Sequence, residues 1–243
     1  MIRGIYTGAT GMLTQQRRLD VISNNLANVN TAGFKRDYLA SVSFPEVEMY
    51  RVAGGRSVPV GPLGYGADTP VLHTDFGPGS LQVTGNPLDL AIEGEGFFAV
   101  DTPRGERYTR AGHFFRNAQG FLVTGSGDYV LGQRGRIPLS GSEIQVSQDG
   151  WVSVDGRRVD RIRVVIFPPA FGRKEGENKW VAAEVTEVAE PRIRQGAVER
   201  ANVNAVKEMV DMITVLKAYE ANQKIITTQD ELLDRAVNEV GRT

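Results

Sequence analysis

The chain contains no cysteine, which removes disulfide staples, thiolate nucleophiles and cysteine-held zinc together. Only two histidines occur, His73 and His113, and neither has a partner at metal-ligand spacing. No stretch approaches ~18 consecutive apolar residues, so no membrane insertion is expected. Arg17, Arg18 and Asp20 interrupt any apolar leader, so no signal peptide is expected and these residues alone read as cytoplasmic. Neither sign of charge is in excess. The 28 Lys and Arg are interleaved with 29 Asp and Glu, as at Arg157, Arg158, Asp160 and Arg161, and no basic face for nucleic acid accumulates. Gly-x-Ser-x-Gly is absent. Gly94-Glu95-Gly96-Phe97-Phe98-Ala99 has the letters of a dinucleotide fingerprint, but Pro103 and Gly105 follow where a helix would have to open. Catalytic, cofactor and metal assignments are therefore none.

The strongest pattern lies at the two ends. Ile5, Met12, Leu19 and Leu26 recur every seven residues, with Ile22 and Val29 three further on. That is a heptad seam, and a helix from residue 2 to residue 28 would be roughly 40 Å long. Near the C-terminus Ala205, Met212, Tyr219, Ile226, Leu233 and Val240 repeat the device, with Met209, Leu216 and Val237 as companions. Two matching stripes predict one paired coiled coil. Val203, Val206, Val210 and Ile213 form a second stripe beside the first. Together they cover about half the helix circumference, more than one partner helix can bury. Sinking the helix in a large core is one solution; packing it against several copies is the other, and it suits a seam that runs to the chain end.

Asn24, Asn25, Asn28 and Asn30 follow the first stripe and fall off both of its seam positions. Asparagine competes for backbone hydrogen bonds, so these residues read either as a fraying helix end, turned by Thr31 and Gly33, or as amides reaching neighbouring subunits.

Between the ends the period changes to two. Leu88, Leu90 and Ile92 alternate, as do Ile144 with Val146, Val152 with Val154, and Ile162 with Val164 and Ile166. Turn-forming residues separate them at Asn117 to Gly120, Gly125 to Asp128, Asp149-Gly150 and Asp155-Gly156, which predicts an antiparallel β domain. Residues 37–70 fit neither pattern, because Gly54-Gly55, Pro59, Gly61-Pro62, Gly64 and Gly66 deny a regular element. Asp89, Glu93 and Glu95 form the dense acidic cluster of the middle segment, and strand alternation predicts all three on one face. A solvated strand face accounts for them; paired carboxylates of a wall-hydrolysing enzyme are the rival. His113, beside Phe114 and Phe115, reads as a packing residue.

Three runs carry a resemblance. Gly8 to Met12 with Ser23 to Lys35, then Gly85 to Phe98, then Ala201-Asn202-Val203-Asn204 with Glu208-Met209-Val210 and Ala218 to Asn222, resemble in order the signatures of the bacterial flagellar rod, hook and hook-associated axial proteins. The openings Met1 to Thr7 and endings Ala236 to Arg242 look more like proximal than distal rod members. The resemblance implies a non-enzymatic structural subunit of the basal-body rod, placed in the periplasm-spanning shaft after passage through the flagellar type III export apparatus. Its implied partners are other rod and hook-basal-body subunits and its own copies, with no nucleic acid.

The expected fold class is α+β: long N- and C-terminal helices forming a paired coiled coil, with a central antiparallel all-β domain. The expected divisions are 1–36 with 200–243 as the helical part, 37–70 as an extended linker and 71–195 as the outer β domain. The residues expected to carry subunit assembly are Ile5, Met12, Leu19, Leu26, Asn24, Asn25, Asn28, Met209, Met212, Leu216, Tyr219, Ile226 and Leu233. A distal rod or hook-type protein is one alternative, a peptidoglycan-binding or hydrolysing module another. A small binding module whose helices merely dimerise is the third.

Overall fold

The computed structural model describes residues 2–40, 47–53, 56–63, 71–168, 171–176 and 178–240. It is α+β: an N-terminal helix, α1 (Ile2–Ala27), a C-terminal helix, α2 (Ala205–Val240), and antiparallel strands between them. Helix α2 starts where the sequence supplies a cap, since the Asn204 side-chain oxygen accepts the Lys207 N–H at 3.1 Å. Among the described residues no helix is long and apolar enough to cross a membrane.

The chain divides into two compact units. The first comprises Met1–Ala27, Asp37–Thr74 and Asn204–Thr243; the second comprises Asn28–Arg36 and Asp75–Val203. In the first unit α1 and α2 pack antiparallel, so that Gly4 meets Gln229, Gly8 meets Ile226 and Gly11 meets Asn222. Residues 37–70, read above as lacking a regular element, carry strands. Asp37–Ala40 pairs with Val71–Thr74, with Tyr38 stacked on His73 at 5.7 Å. Val47–Ala53 pairs with Arg56–Leu63 in a hairpin with an irregularity between Met49 and Tyr50. Val52, Val58 and Val60 favour the extended backbone, and Pro59 and Pro62 are tolerated because both strands are edges. Gly54-Gly55, Gly64 and Gly66, on which the opposite expectation rested, lie outside the described residues.

In the second unit, Phe97–Thr102 lies mid-sheet between Gly105–Thr109 and Tyr129–Gly132 and also pairs with Val164–Ile166. This strand is buried on both faces. Phe98 and Val100 pack with Leu90, Ile92 and Phe114, while Phe97 and Ala99 pack with Tyr108, Phe167 and Trp180. A strand covered on both sides needs a continuous apolar run, and Phe97-Phe98-Ala99-Val100 is one. Gly96 has to be glycine, because at its φ of +132° a Cβ would stand 2.6 Å from Val164 Cγ1. A smaller sheet follows from Ile144–Val146, Trp151–Val154 and Arg157–Arg161, turning at Asp149-Gly150 and Asp155-Gly156 as their composition predicts.

The stretch from Asn28 to Arg36 is built into this second unit. The Gly33 N–H donates to the Glu199 carbonyl at 2.7 Å, and the Arg36 N–H donates to the Asn202 side-chain oxygen at 2.7 Å. Lys35, 2% exposed, donates to Glu199 Oε1 at 2.7 Å and to the Gly77 carbonyl at 2.9 Å. Arg110 takes the other carboxylate oxygen and donates to the carbonyls of Ile92, Gly94 and Gly96. Burial pushes the Lys35 ammonium below the usual lysine range; its bond to Glu199 offsets this only in part, and the nearby Arg110 charge adds to the lowering. For Glu199, burial alone would raise the carboxyl. The Arg110 charge and the bonds from Lys35 and the Gly79 N–H outweigh it and hold the group below the usual carboxylate range.

Gly33 sits at φ +67° under the Arg110 backbone, where a Cβ would stand 2.3 Å from its carbonyl. Gly33→Ala should therefore cost more than the ~1–2 kcal/mol of a left-handed alanine alone. The urea midpoint of the full chain measures it; an unchanged midpoint would show that the contact relaxes freely.

Candidate assembly surface

Along α2 a row of partly or fully buried positions runs 205, 208, 212, 215, 219, 222, 226, 229, 233 and 236, alternating steps of three and four, with Asp211 and Ala218 beside it. This is a heptad. One of its lines is the expected one, with Met212, Tyr219, Ile226 and Leu233 all half-buried. The companion line is Glu208, Val215, Asn222, Gln229 and Ala236, and it corrects the expected companions. Met209, Leu216 and Val237 are exposed, at 50%, 41% and 70%. The physical reason is visible on α1, whose inward row is Gly4, Gly8, Gly11, Gln15, Arg18, Ile22 and Asn25. Glycines bring the backbones close, and close backbones have room for amides and small side chains rather than a second leucine row. Ile5, Met12, Leu19 and Leu26 stand beside this row, half-buried. The side chains of Ile2 and Val240 lie outside the described residues.

Asn25 is 1% exposed and turns inward. Its amide donates to the Asp37 carbonyl at 2.7 Å and to Glu208 Oε2 at 3.3 Å, while its oxygen accepts the Asp37 N–H at 3.0 Å. This closes the gap between α1, the first strand after it and the start of α2. The reading of Asn25 as an amide facing a neighbouring subunit does not fit that burial. Asn24 is exposed, and Asn28, half-buried, accepts the Thr31 hydroxyl at 3.2 Å and the Thr31 N–H at 3.0 Å in the turn after α1.

The structure thus separates the two stripes of α2. Val206, Met209, Val210, Ile213 and Leu216 form one apolar strip on the exposed side of the first three turns, while the polar row faces α1. Gln15 and Gln229 add buried amide oxygens without a hydrogen-bond partner among the described residues. The helix pair therefore covers polar side chains together with apolar ones, and leaves a contiguous apolar strip uncovered on the first turns of α2.

The acidic cluster does not assemble. The strand from Leu90 to Ile92 ends before Glu93, and the turn at Pro87-Leu88 carries Asp89 inward, so alternation breaks on both sides. Asp89 is buried, accepting from Thr84 at 2.7 Å, Asn86 at 3.1 Å and His113 Nδ1 at 3.0 Å. Glu93 faces Arg194 at 3.8 Å, and Glu95 is exposed. His113, expected to pack beside Phe114, instead leaves its ring about half exposed and serves Asp89. Among the described residues no group of three or more acidic, histidine or cysteine side chains could hold a metal ion.

Sequence comparison agrees with this geometry at both ends and in the middle. Residues 5–35 match the family described as flagella basal body rod protein, residues 91–154 the flagellar hook protein FlgE/F/G D1 domain, and residues 194–239 the flagellar basal body rod FlgEFG protein C-terminal family. The chain is similar to the flagellar basal-body rod protein FlgG of Bacillus subtilis, at 35% identity covering 98% of this chain and 99% of that protein. It is equally similar to the flagellar basal-body rod protein FlgF of Caulobacter vibrioides, at 36% identity covering 100% and 99%. The signatures at its two ends, its α+β architecture and this full-length similarity make the chain a member of the flagellar basal-body rod protein family.

Proposed function

We propose that the protein is a structural subunit of the flagellar rod which assembles with its own copies and with other rod and hook-basal-body subunits through its terminal helices. The observation that carries this is the exposed strip Val206, Met209, Val210, Ile213 and Leu216. Burying such side chains is worth about 25 cal/mol per Å², and a single chain leaves that free energy unused. Head-to-tail contacts whose rotation does not close generate helical stacks. In this reading α1 and α2 form a paired coiled coil within an inner tube, residues 37–70 reach over a neighbouring subunit, and the β-rich unit forms the outer layer. Ile5, Met12, Leu19 and Leu26 on α1, with Met212, Tyr219, Ile226 and Leu233 on α2, support the strip from within the helix pair. Asn24 adds an exposed amide near the end of α1, and Asn28 a half-buried one in the turn that follows.

The same reading has the chain leave through the flagellar export apparatus with its N-terminus intact, to act in the periplasm-spanning rod without catalysis. Relatives named FlgG and FlgF match at near-equal identity. A proximal place among rod subunits is proposed from the opening Met1 to Thr7 and the ending Ala236 to Arg242.

Because the chain has no cysteine of its own, single introduced cysteines report burial cleanly. Ile213→Cys should react with a water-soluble maleimide in the free protein and become protected in isolated basal bodies, whereas Glu93→Cys should react in both. An Ile213→Cys thiol that stays reactive in the assembled state would refute assembly through this strip.

A further inference from the structure

The β-rich unit contains a cavity of about 460 Å³ whose lining includes Phe76, Phe97, Ile166 and Phe167 together with Lys35 and Arg110. We propose that this cavity is a binding site for a small organic monocarboxylate with an aromatic or aliphatic body, a function separate from assembly. Its size lies in the ~300–1,000 Å³ range of small-molecule sites, and mostly apolar walls with a few convergent polar groups are the usual lining.

The charge balance selects an anion. Lys35, Arg110 and Glu199 are 2%, 4% and 2% exposed, so two buried cations share one buried carboxylate. Asp75 adds only the weakest of the electrostatic influences on Lys35, since it is exposed and its Oδ1 accepts the Gly77 N–H at 2.8 Å. Donors are also left over. The Lys35 ammonium uses two of its three N–H groups, on Gly77 and Glu199. The Arg110 guanidinium uses four of five, on Glu199, Ile92, Gly94 and Gly96. Both side chains line the cavity, and a carboxylate accepts several such bonds while supplying the missing charge.

The walls select the rest of the ligand. Phe76, Phe97 and Phe167 lie within 4.7 to 6.1 Å of one another, ring centre to ring centre, and form a surface on which a ring or short chain can lie. A bare inorganic anion would leave that surface wet, and a neutral aromatic would leave the charge unbalanced. Glu95, exposed on the same lining, is the one acidic side chain there and disfavours the ligand.

Calorimetric titration of the full chain tests this, with benzoate and hexanoate as probes and benzyl alcohol and sulfate as counterparts. Benzoate and hexanoate should saturate a single site, and the counterparts should bind at least about tenfold more weakly. Ile166→Asp, at a partly exposed wall, should weaken benzoate by a similar factor. Glu95→Gln, a substitution on an exposed side chain that leaves the fold intact, should tighten it several-fold. Equal affinity for benzoate and benzyl alcohol, absence of saturation by the folded protein, or a Glu95→Gln affinity no tighter than the parent's would each overturn the assignment. Because the probes act on the unassembled chain, the result is independent of whether the rod reading holds.

Discussion

Ile213→Asp should abolish motility while leaving the isolated protein as stable as its parent. Ile213 is 59% exposed in the single chain and lies in the middle of the apolar strip on α2. In the free protein a carboxylate there stays in water, and surface substitutions of this kind are usually worth within about half a kcal/mol. In an assembly that covers the strip the same carboxylate must be desolvated without a partner, at several kcal/mol in every copy. Met212→Asp is the less informative substitution, because Met212 is half-buried against the helix pair and its loss would damage the monomer as well. Glu93→Gln provides the opposite control, since Glu93 is exposed and its contact with Arg194 is a long surface pair at 3.8 Å. Swimming in soft agar, protein level by blotting and a thermal melt of each purified variant decide the matter. A motile Ile213→Asp strain, or a non-motile Glu93→Gln strain with normal protein level, would sink the structural reading.

The second large effect is expected in the β-rich unit. Glu199→Gln leaves Lys35 and Arg110 buried without a counter-charge, and breaking a buried pair in this way costs about 3–5 kcal/mol. That is a large part of the roughly 5–15 kcal/mol by which whole domains are stable. Adding Lys35→Met to Glu199→Gln should recover part of the loss, so the double variant is less destabilised than the sum of the single ones. Acid should act in the same direction. The Glu199 carboxyl is held below the usual carboxylate range, so its contribution is full above that range and is lost as the pH falls through the lower folded value. Urea midpoints of the three variants at neutral pH and of the parent from neutral to acid measure both effects. A Glu199→Gln midpoint indistinguishable from the parent's would mean that the cluster does not hold the unit together.

The two helices and the alternating strands were legible in the sequence because each announces itself over a few neighbouring residues. The orientation of the helices was not. Apolar periodicity assigns Met209 and Leu216 to the inside on the premise that apolar means inward, yet Glu208 and Asn222 hold the inward row and the apolar pair faces out. The premise fails on α2, where a strip of apolar side chains stays uncovered in the single chain. The glycines at positions 4, 8 and 11 were the available signal, being spaced for a close helix contact on a face the heptad reading passed over. Asp89 was misplaced for a different reason: the turn at Pro87-Leu88 breaks the alternation that would have put it beside Glu93. Lys35 and Glu199 left no local trace, because a contact between residues 164 apart has no period.

That separation also constrains the order in which the molecule can fold. The ladder from Leu81–Val83 to Ala197–Glu199 and the bond from Gly33 to Glu199 both require the last residues before α2, so the β-rich unit cannot close until nearly the whole polypeptide is present. Contacts this distant in sequence carry the full loop-closure cost before they return any stability, which makes them late events in folding. A chain that emerges from a ribosome N-terminus first holds Lys35 without its counter-ion for most of its synthesis. The β-rich unit therefore becomes a folded body only after Glu199 has arrived.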